Sequence, residues 1–277
     1  MGEAKNRSRS RASVLAAETR CIYCAGAPET LEHMPPRAMF RAASRPSGLE
    51  FGTCLSCNNG TSAADLVASF AARLIQGNDD PTDWHHAEAR GKLRMLRKKT
   101  PDFLLELFRP EKSKEIWQRS PGGVLTKAVS VHADGPSTKA YLDVFSAKLG
   151  MALYREHVGA PIPMEGGVHS RWFLNAGLAQ ETADSIMHSM PMFSTLKQGG
   201  FEVPGQFGYR YNCDLKSIFA AMVWFHTGLF VFTIAAADPD TYDLRSLPDR
   251  HSSFFQPGRL LAQMPKPQLT VSAAPSA

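Results

Sequence analysis

Two Cys-x-x-Cys pairs are the clearest chemical feature of this 277-residue sequence. Cys21 and Cys24 form the first pair, and Cys54 and Cys57 form the second. Each pair offers two sulfur ligands to one ion, so that two pairs can close a tetrahedral zinc site. A pair of redox-active dithiols is the alternative, but neither motif lies in the βαβ context of a thioredoxin-like site. The spacing therefore predicts one structural zinc ion.

The segment between the two pairs, with the residues just after it, contains side chains that look catalytic. Glu32 and His33 are adjacent and lie close before a Pro-Pro dipeptide, and Asn58 and Asn59 follow the last cysteine of the second pair directly. A neutral imidazole can remove a proton from water. Carboxylate and amide oxygens are ligands that suit Mg²⁺ or Mn²⁺ better than Zn²⁺. These residue types make the segment a candidate catalytic site.

The motifs CIYC, EHMPP and CLSCNN, in that order, resemble the zinc-containing branch of the HNH endonucleases. The resemblance covers about a sixth of the chain and implies a ββα-metal module, in which a zinc-clamped hairpin precedes a helix. It implies that His33 is the general base and that Glu32 and Asn58 bind a catalytic Mg²⁺ or Mn²⁺, with Asn59 as a second candidate for the place of Asn58. It also implies products with 5′-phosphate and 3′-hydroxyl ends.

One position departs from the family pattern. The middle Asn, which usually steadies the base histidine, is missing from the stretch 48–53, so a backbone carbonyl would have to hold His33. Asn58 also has a second interpretation as a helix N-cap, because Asn is a favoured capping residue. Arg37, four residues after His33, is placed to contact the scissile phosphate.

Basic residues are concentrated in two segments. The chain has a net charge of +5, residues 1–20 contribute +3 and residues 86–119 contribute +5, so the remainder is −3. Such clustering is typical of proteins that bind polyanions, although a basic tail and a solvated helix face would show the same pattern. The residues expected to contact phosphates are Arg20, Arg37, Arg41, Arg45, Arg90, Arg94 and Lys98.

The sequence predicts an α+β protein. We expect a disordered basic arm at 1–19, an HNH-like zinc module of the ββα-metal type at 20–78 and a basic helical connector at 79–120. A C-terminal α+β region with antiparallel strands is expected at 121–264, before a disordered tail at 265–277. Within these units the sequence predicts helices at 62–75, 84–99 and 182–196 and a linker at 120–123. The apolar run 218–237 is interrupted by His-Thr-Gly, which favours a buried β-hairpin over a membrane span.

These observations predict a metal-dependent endonuclease that cleaves DNA, with RNA left open as a substrate. The alternative function is a zinc-stabilised nucleic-acid-binding module without catalysis. Cysteine usage favours a reducing compartment, and the N-terminus lacks the apolar core of a secretory signal, so we expect a cytoplasmic protein without a membrane partner. Residues 121–264 could choose the target, form a homodimer or bind a protein partner.

Overall fold

The computed structural model describes residues 10–74, 84–119, 123–131, 133–174, 180–247 and 252–266. Its helices are α1 (Arg11–Ala16), α2 (Leu55–Gly60), α3 (Ser62–Ala71), α4 (Trp84–Lys99), α5 (Pro101–Leu107), α6 (Pro136–Val158), α7 (Gln180–Ser189) and α8 (Leu260–Gln263). Its strands are β1 (Thr30–His33), β2 (Glu50–Thr53), β3 (Lys114–Arg119), β4 (Leu125–Ser130), β5 (Gly167–Leu174), β6 (Met192–Ser194), β7 (Lys197–Gln198), β8 (Phe201–Glu202), β9 (Phe207–Cys213), β10 (Ile218–Phe225), β11 (Leu229–Ala236) and β12 (Ser252–Phe255).

Helix α6 is the central element of the fold. It packs across strands β5, β10 and β11 of an antiparallel six-stranded sheet with the order β12-β5-β11-β10-β9-β6. On its other sides it contacts α3, α5 and α8. Gly150 permits the close approach to the sheet, since a Cβ there would meet Thr233 and Val168 at 2.3 and 2.6 Å. Burial on several sides explains why α6 has no clear polar face.

The N-terminal part of the fold is a hairpin followed by helices. Strands β1 and β2 pair antiparallel, with His33 opposite Glu50 and Glu32 opposite Phe51. Helix α2 begins directly after Cys54, and α3 follows and packs against α6. One continuous cluster of buried side chains joins the cysteine pairs to the six-stranded sheet. The hairpin therefore rests on the C-terminal half of the chain.

The α+β class, the helix at 84–99 and the strand hairpin in the apolar run 218–237 are confirmed. Within the described ranges, no helix combines the length and apolarity that crossing a membrane requires. The expected linker at 120–123 and the tail from 265 lie largely outside the described residues, as does position 75, the expected end of the helix that corresponds to α3.

Three expectations about elements are wrong. The part of the basic arm that the structure describes is ordered, because α1 buries Val14 and the carboxylate of Glu18 pairs with Arg155 of α6 at 2.9 Å. Strand β3 replaces helix at the end of the connector. A helix was expected over 182–196, but α7 ends at Ser189 and a strand follows Pro191, which cannot continue the helical hydrogen bonding.

Candidate functional site

The four cysteines of the two pairs come together as one cluster. Their sulfur atoms all lie within 4.8 Å of one another. Cys24 Sγ is 3.6 Å from the sulfurs of both Cys54 and Cys57. Zinc–sulfur bonds of about 2.3 Å place the ligands of a tetrahedral site about 3.8 Å apart, so the cluster has the size that a zinc ion needs. These four residues could hold a structural metal ion such as zinc.

Local backbone geometry prepares the sulfurs for a cation. The backbone amides of Tyr23, Gly26 and Cys57 donate hydrogen bonds to sulfur atoms at 3.3–3.4 Å. A hydrogen bond from the Cys57 thiol lowers the pKa of Cys21 to about 5. Negative charge is therefore favoured at Cys21, whereas burial raises the pKa of Cys24 to about 11 and the hydrogen bond to Cys21 raises the pKa of Cys57. A metal ion would take the place of the protons that these two thiols keep.

His33 stands at the end of β1, and the acidic partner beside it was not expected. Its Nδ1 atom lies 3.5 Å from Glu50 Oε1, across the hairpin on β2. The imidazole is 21% exposed. Burial, with the charges of Arg45 and Arg37, lowers the pKa of His33 to about 4, so the ring is neutral at pH 7 but a weaker base than an ordinary histidine. The Nδ1 atom has no hydrogen-bond partner among the described residues, so Glu50 is a nearby charge rather than an acceptor.

Glu32 faces the opposite side of the hairpin from His33, as alternation along a strand requires. Its carboxylate lies 3.3 Å from the ammonium of Lys148, a completely buried residue of α6. The same ammonium is 2.7 Å from Asp65 on α3 and 5.7 Å from the ring centre of Tyr23. Burial raises the pKa of Glu32 to about 7, although Lys148 counteracts part of the shift. The structure therefore does not bring Glu32 and His33 to one place.

Asn58 and Asn59 lie on α2 rather than at its N-cap, which is Cys54. The side-chain amide of Asn58 donates to Thr30 Oγ1 at 3.0 Å and to the carbonyl of Leu31 at 3.3 Å. It holds the helix to the hairpin, and the expectation that it caps the helix is wrong. Asn59 is exposed.

A divalent ion between Glu32 and Asn58 does not fit this arrangement. The position beside the Glu32 carboxylate is taken by the Lys148 ammonium, and Glu32 is only 3% exposed. A second cation there would be repelled at short range and would lack access for a phosphate ligand. Among the described residues, the cysteine cluster is the one group of three or more His, Cys, Asp or Glu side chains with metal-binding distances.

Two of the predicted phosphate contacts are engaged elsewhere. Arg20 donates to the carbonyls of Cys21, Cys24 and Ile162, so it braces the first cysteine pair against the C-terminal half. Arg45 is 2% exposed and donates to backbone carbonyls of its own loop at 2.6–2.8 Å. Arginine in these positions stabilises the backbone, and both expectations are corrected.

The remaining basic candidates lie at the surface. Arg37 and Arg41 are exposed in the loop between β1 and β2, and Arg90, Arg94 and Lys98 are exposed on α4. Arg90, Arg94 and Arg97 follow the helical repeat and share one face. The charge of Arg37 contributes to the lowered pKa of His33, which indicates that the two side chains are close.

Side chains from distant elements hold the loop between β1 and β2. Arg73, just after α3, donates to the carbonyls of Met39 and Phe40, and its Nε pairs with Glu88 of α4 at 2.8 Å. Further donors to this loop are Lys92, which reaches the Ala38 carbonyl at 2.9 Å, and His226, whose Nε2 is 2.8 Å from the Met39 carbonyl. Sequence reasoning missed Arg73, although an arginine directly after an apolar helix is a signal of a buried polar contact.

Comparisons with known proteins give no relative: no protein-family model, curated protein or solved structure matches the chain. The site must be judged by its own geometry.

Proposed function

We propose that this protein is an endonuclease that hydrolyses phosphodiester bonds in DNA, with His33 as the general base. The observation that carries the proposal is a neutral, partly exposed imidazole at the end of a hairpin whose neighbouring cysteine cluster can bind zinc. The order of cysteine pairs, Glu-His and post-cysteine Asn supports the same function through its resemblance to the HNH endonucleases.

In the proposed reaction, His33 takes a proton from a water molecule, and the resulting hydroxide attacks phosphorus. The phosphorus–oxygen bond to the leaving oxygen breaks, and that oxygen then takes up a proton from solvent. The carboxylate of Glu50, 3.5 Å from Nδ1, stabilises the imidazolium that forms, while the exposed guanidinium of Arg37 binds the negatively charged phosphate. No step is assigned to a divalent ion, because Lys148 stands at the carboxylate that would hold it.

A second function has its own support. The pairing of Glu32 with Lys148 removes the expected metal ligand, and this favours a zinc-stabilised module that binds nucleic acid without cutting it. In that case the exposed basic residues of α4 and the loop would carry the activity.

Nicking of supercoiled plasmid distinguishes these functions. We expect the wild-type protein to nick, and His33→Ala to lower the rate by roughly 10²- to 10⁴-fold, the usual contribution of a general base. His188→Ala, which changes an exposed histidine on α7, is the matched control and should keep the wild-type rate.

Reactions with no added divalent ion, with Mg²⁺ and with Mn²⁺ are compared in the same assay. Equal nicking by His33→Ala and wild type would reject His33 as the base. DNA binding without nicking under all three conditions would favour the binding module. Nicking that depends on Mg²⁺ or Mn²⁺ would contradict the metal-free reaction proposed here.

A further inference from the structure

The hairpin of β3 and β4 presents a sheet face that no other element of the described chain packs against extensively. Cross-strand pairs place Trp117 opposite Lys127, Arg119 opposite Leu125 and Glu115 opposite Val129. Because side chains alternate along a strand, these six residues share one face. We call it the Trp117 face.

The Trp117 face combines three large, exposed apolar side chains with three charged ones. Trp117 is 64% exposed, Val129 59% and Leu125 53%. An isolated two-stranded hairpin is marginally stable in water, and contiguous exposed apolar side chains commonly mark a binding surface. This face is therefore suited to being covered by a partner.

The charges around the tryptophan indicate which partner. The Lys127 ammonium lies 5.7 Å from the Trp117 ring centre and 3.5 Å from the carboxylate of Glu115, an exposed pair that a phosphate can displace. Arg119 flanks the ring on the same face. Residues 114–130 carry a net charge of +2, and the exposed basic face of α4 precedes them in the chain. An aromatic ring between cations matches a base stacked on the ring with its phosphates beside the cations.

We infer that the Trp117 face binds unpaired nucleotides of single-stranded DNA, with one base stacked on Trp117 and adjacent phosphates contacted by Lys127 and Arg119. A duplex keeps its bases stacked on one another and offers the ring no free base, so the face favours single-stranded or locally opened DNA. The inference rests on the proposed function only for the class of substrate, and the face is separate from His33 and the cysteine cluster.

Binding is measured by fluorescence anisotropy with a labelled 20-nucleotide single strand and its duplex, using the full chain carrying His33→Ala so that the DNA stays intact. Trp117→Ala should weaken single-strand binding by roughly 5- to 150-fold, the range expected for one stacked base. Trp117→Phe keeps a ring and should stay within about threefold of the parent. Leu105→Ala, at another exposed apolar position, is the control and should leave affinity unchanged.

Two further measurements separate stacking from general charge attraction. Lys127→Ala should reduce the slope of log Kd against log salt by about 0.7, the loss of one single-strand phosphate contact. Duplex affinity should change less than twofold in Trp117→Ala. Equal losses on single strand and duplex would overturn the inference.

Wild-type single-strand affinity in Trp117→Ala would also overturn the inference. If light scattering then showed that this variant dissociates a dimer, the face would be an interface between copies of the chain. A protein that binds the oligonucleotide through Trp117 but never nicks plasmid would refute the proposed function and leave this inference standing. A protein that nicks plasmid but binds the single strand equally well without Trp117 would support the proposed function and refute this inference.

Discussion

Lys148 contributes one positive charge to a buried position shared by two carboxylates. Its ammonium is reached by Glu32 from the hairpin and by Asp65 from α3, and the lysine itself lies on α6. Two carboxylates with one ammonium leave a surplus negative charge, and together with burial this explains why the pKa of Glu32 rises to about 7. Lys148 thus connects β1, α3 and α6. Its ammonium occupies the position beside Glu32 that a divalent ion would need.

We predict that Lys148→Met destabilises the protein by about 3–5 kcal/mol, because it leaves the carboxylates buried without their partner. Urea unfolding followed by circular dichroism measures the change. Lys112→Met, which removes an exposed pair with Asp134, is the matched control and should cost less than about 1 kcal/mol. Adding Glu32→Gln and Asp65→Asn to Lys148→Met should recover most of the loss. Similar stabilities for the two single variants would contradict the assigned role of Lys148.

Only part of the candidate site could be predicted from sequence at the residue scale. Cysteine spacing was sufficient for the metal cluster, because each pair is a local structure. Adjacency of Glu32 and His33 suggested a shared site, but alternation along β1 sends them to opposite faces. Lys148 is remote in the chain, and only the packing of α6 against α3 reveals it. Glu50 could have been found from the hairpin register.

Among the elements, the hairpin of β1 and β2 is short and depends on the cysteine cluster. The two strands have four residues each, which is too few for independent stability in water. Asn58 and the loop contacts of Arg73 add polar restraints, but a metal ion at the cysteines would join the segment before β1 to the start of α2, directly after β2, through coordination bonds. Coordination energy thus substitutes for apolar surface that so small a unit lacks.

We predict that removing the metal loosens the hairpin and α2 before the six-stranded sheet. Hydrogen exchange with mass spectrometry, with and without a strong zinc chelator, measures the effect. Amides of residues 50–60 should exchange at least tenfold faster after chelation, while β10 and β11, buried under α6, should change little. Cys57→Ser should reproduce the chelated pattern without chelator. Unchanged exchange at 50–60 would mean that the cysteines hold no structural ion.

Helices and strands with a clear hydrophobic pattern in the sequence could be predicted. Strands that form only because they pair with another segment could not. Helix α4 and the hairpin of β10 and β11 follow from helical spacing and from an apolar run with a turn in its middle. Strand β3 reads KEIWQR, which has no apolar–polar alternation, so only its pairing with β4 makes it a strand. Strand β12 joins the sheet through β5, far away in sequence.

At the scale of the whole molecule, buried polar groups link the two halves of the chain. Arg20 donates to carbonyls on both sides, Arg155 pairs with Glu18, and His226 contacts the loop of the candidate site. These contacts, with the continuous core, make the stability of the site depend on the stability of the sheet. Conditions that unfold the sheet should therefore also disable the site, even where no site residue titrates.

We expect acid to destabilise the six-stranded sheet by protonating His157, which lies at the end of α6. Its ring stacks on Phe219 with centroids 5.0 Å apart, also contacts Tyr211, and its Nε2 is 3.1 Å from Tyr209 Oη. Burial lowers the pKa of His157 to about 4, whereas the unfolded chain has the ordinary value of 6.5. Between these values the unfolded state binds the proton and the folded state does not. The stability that neutral His157 contributes is therefore present above pH 6.5 and is lost as the pH falls towards 4.

The variant His157→Phe keeps an aromatic ring on Phe219 and has no titrating group. We predict that its free energy of unfolding falls less steeply than that of the wild type as the pH is lowered. The wild type should lose at most about 1.4 kcal/mol more per pH unit than the variant between pH 6.5 and 4, and the two curves should run parallel above pH 7.5. Urea unfolding at half-unit pH steps measures both curves, and any acid release of metal or titration of His33 is shared by the two proteins. Parallel curves across the acid range would show that His157 is protonated equally in both states, and the acid sensitivity of the molecule would then originate elsewhere.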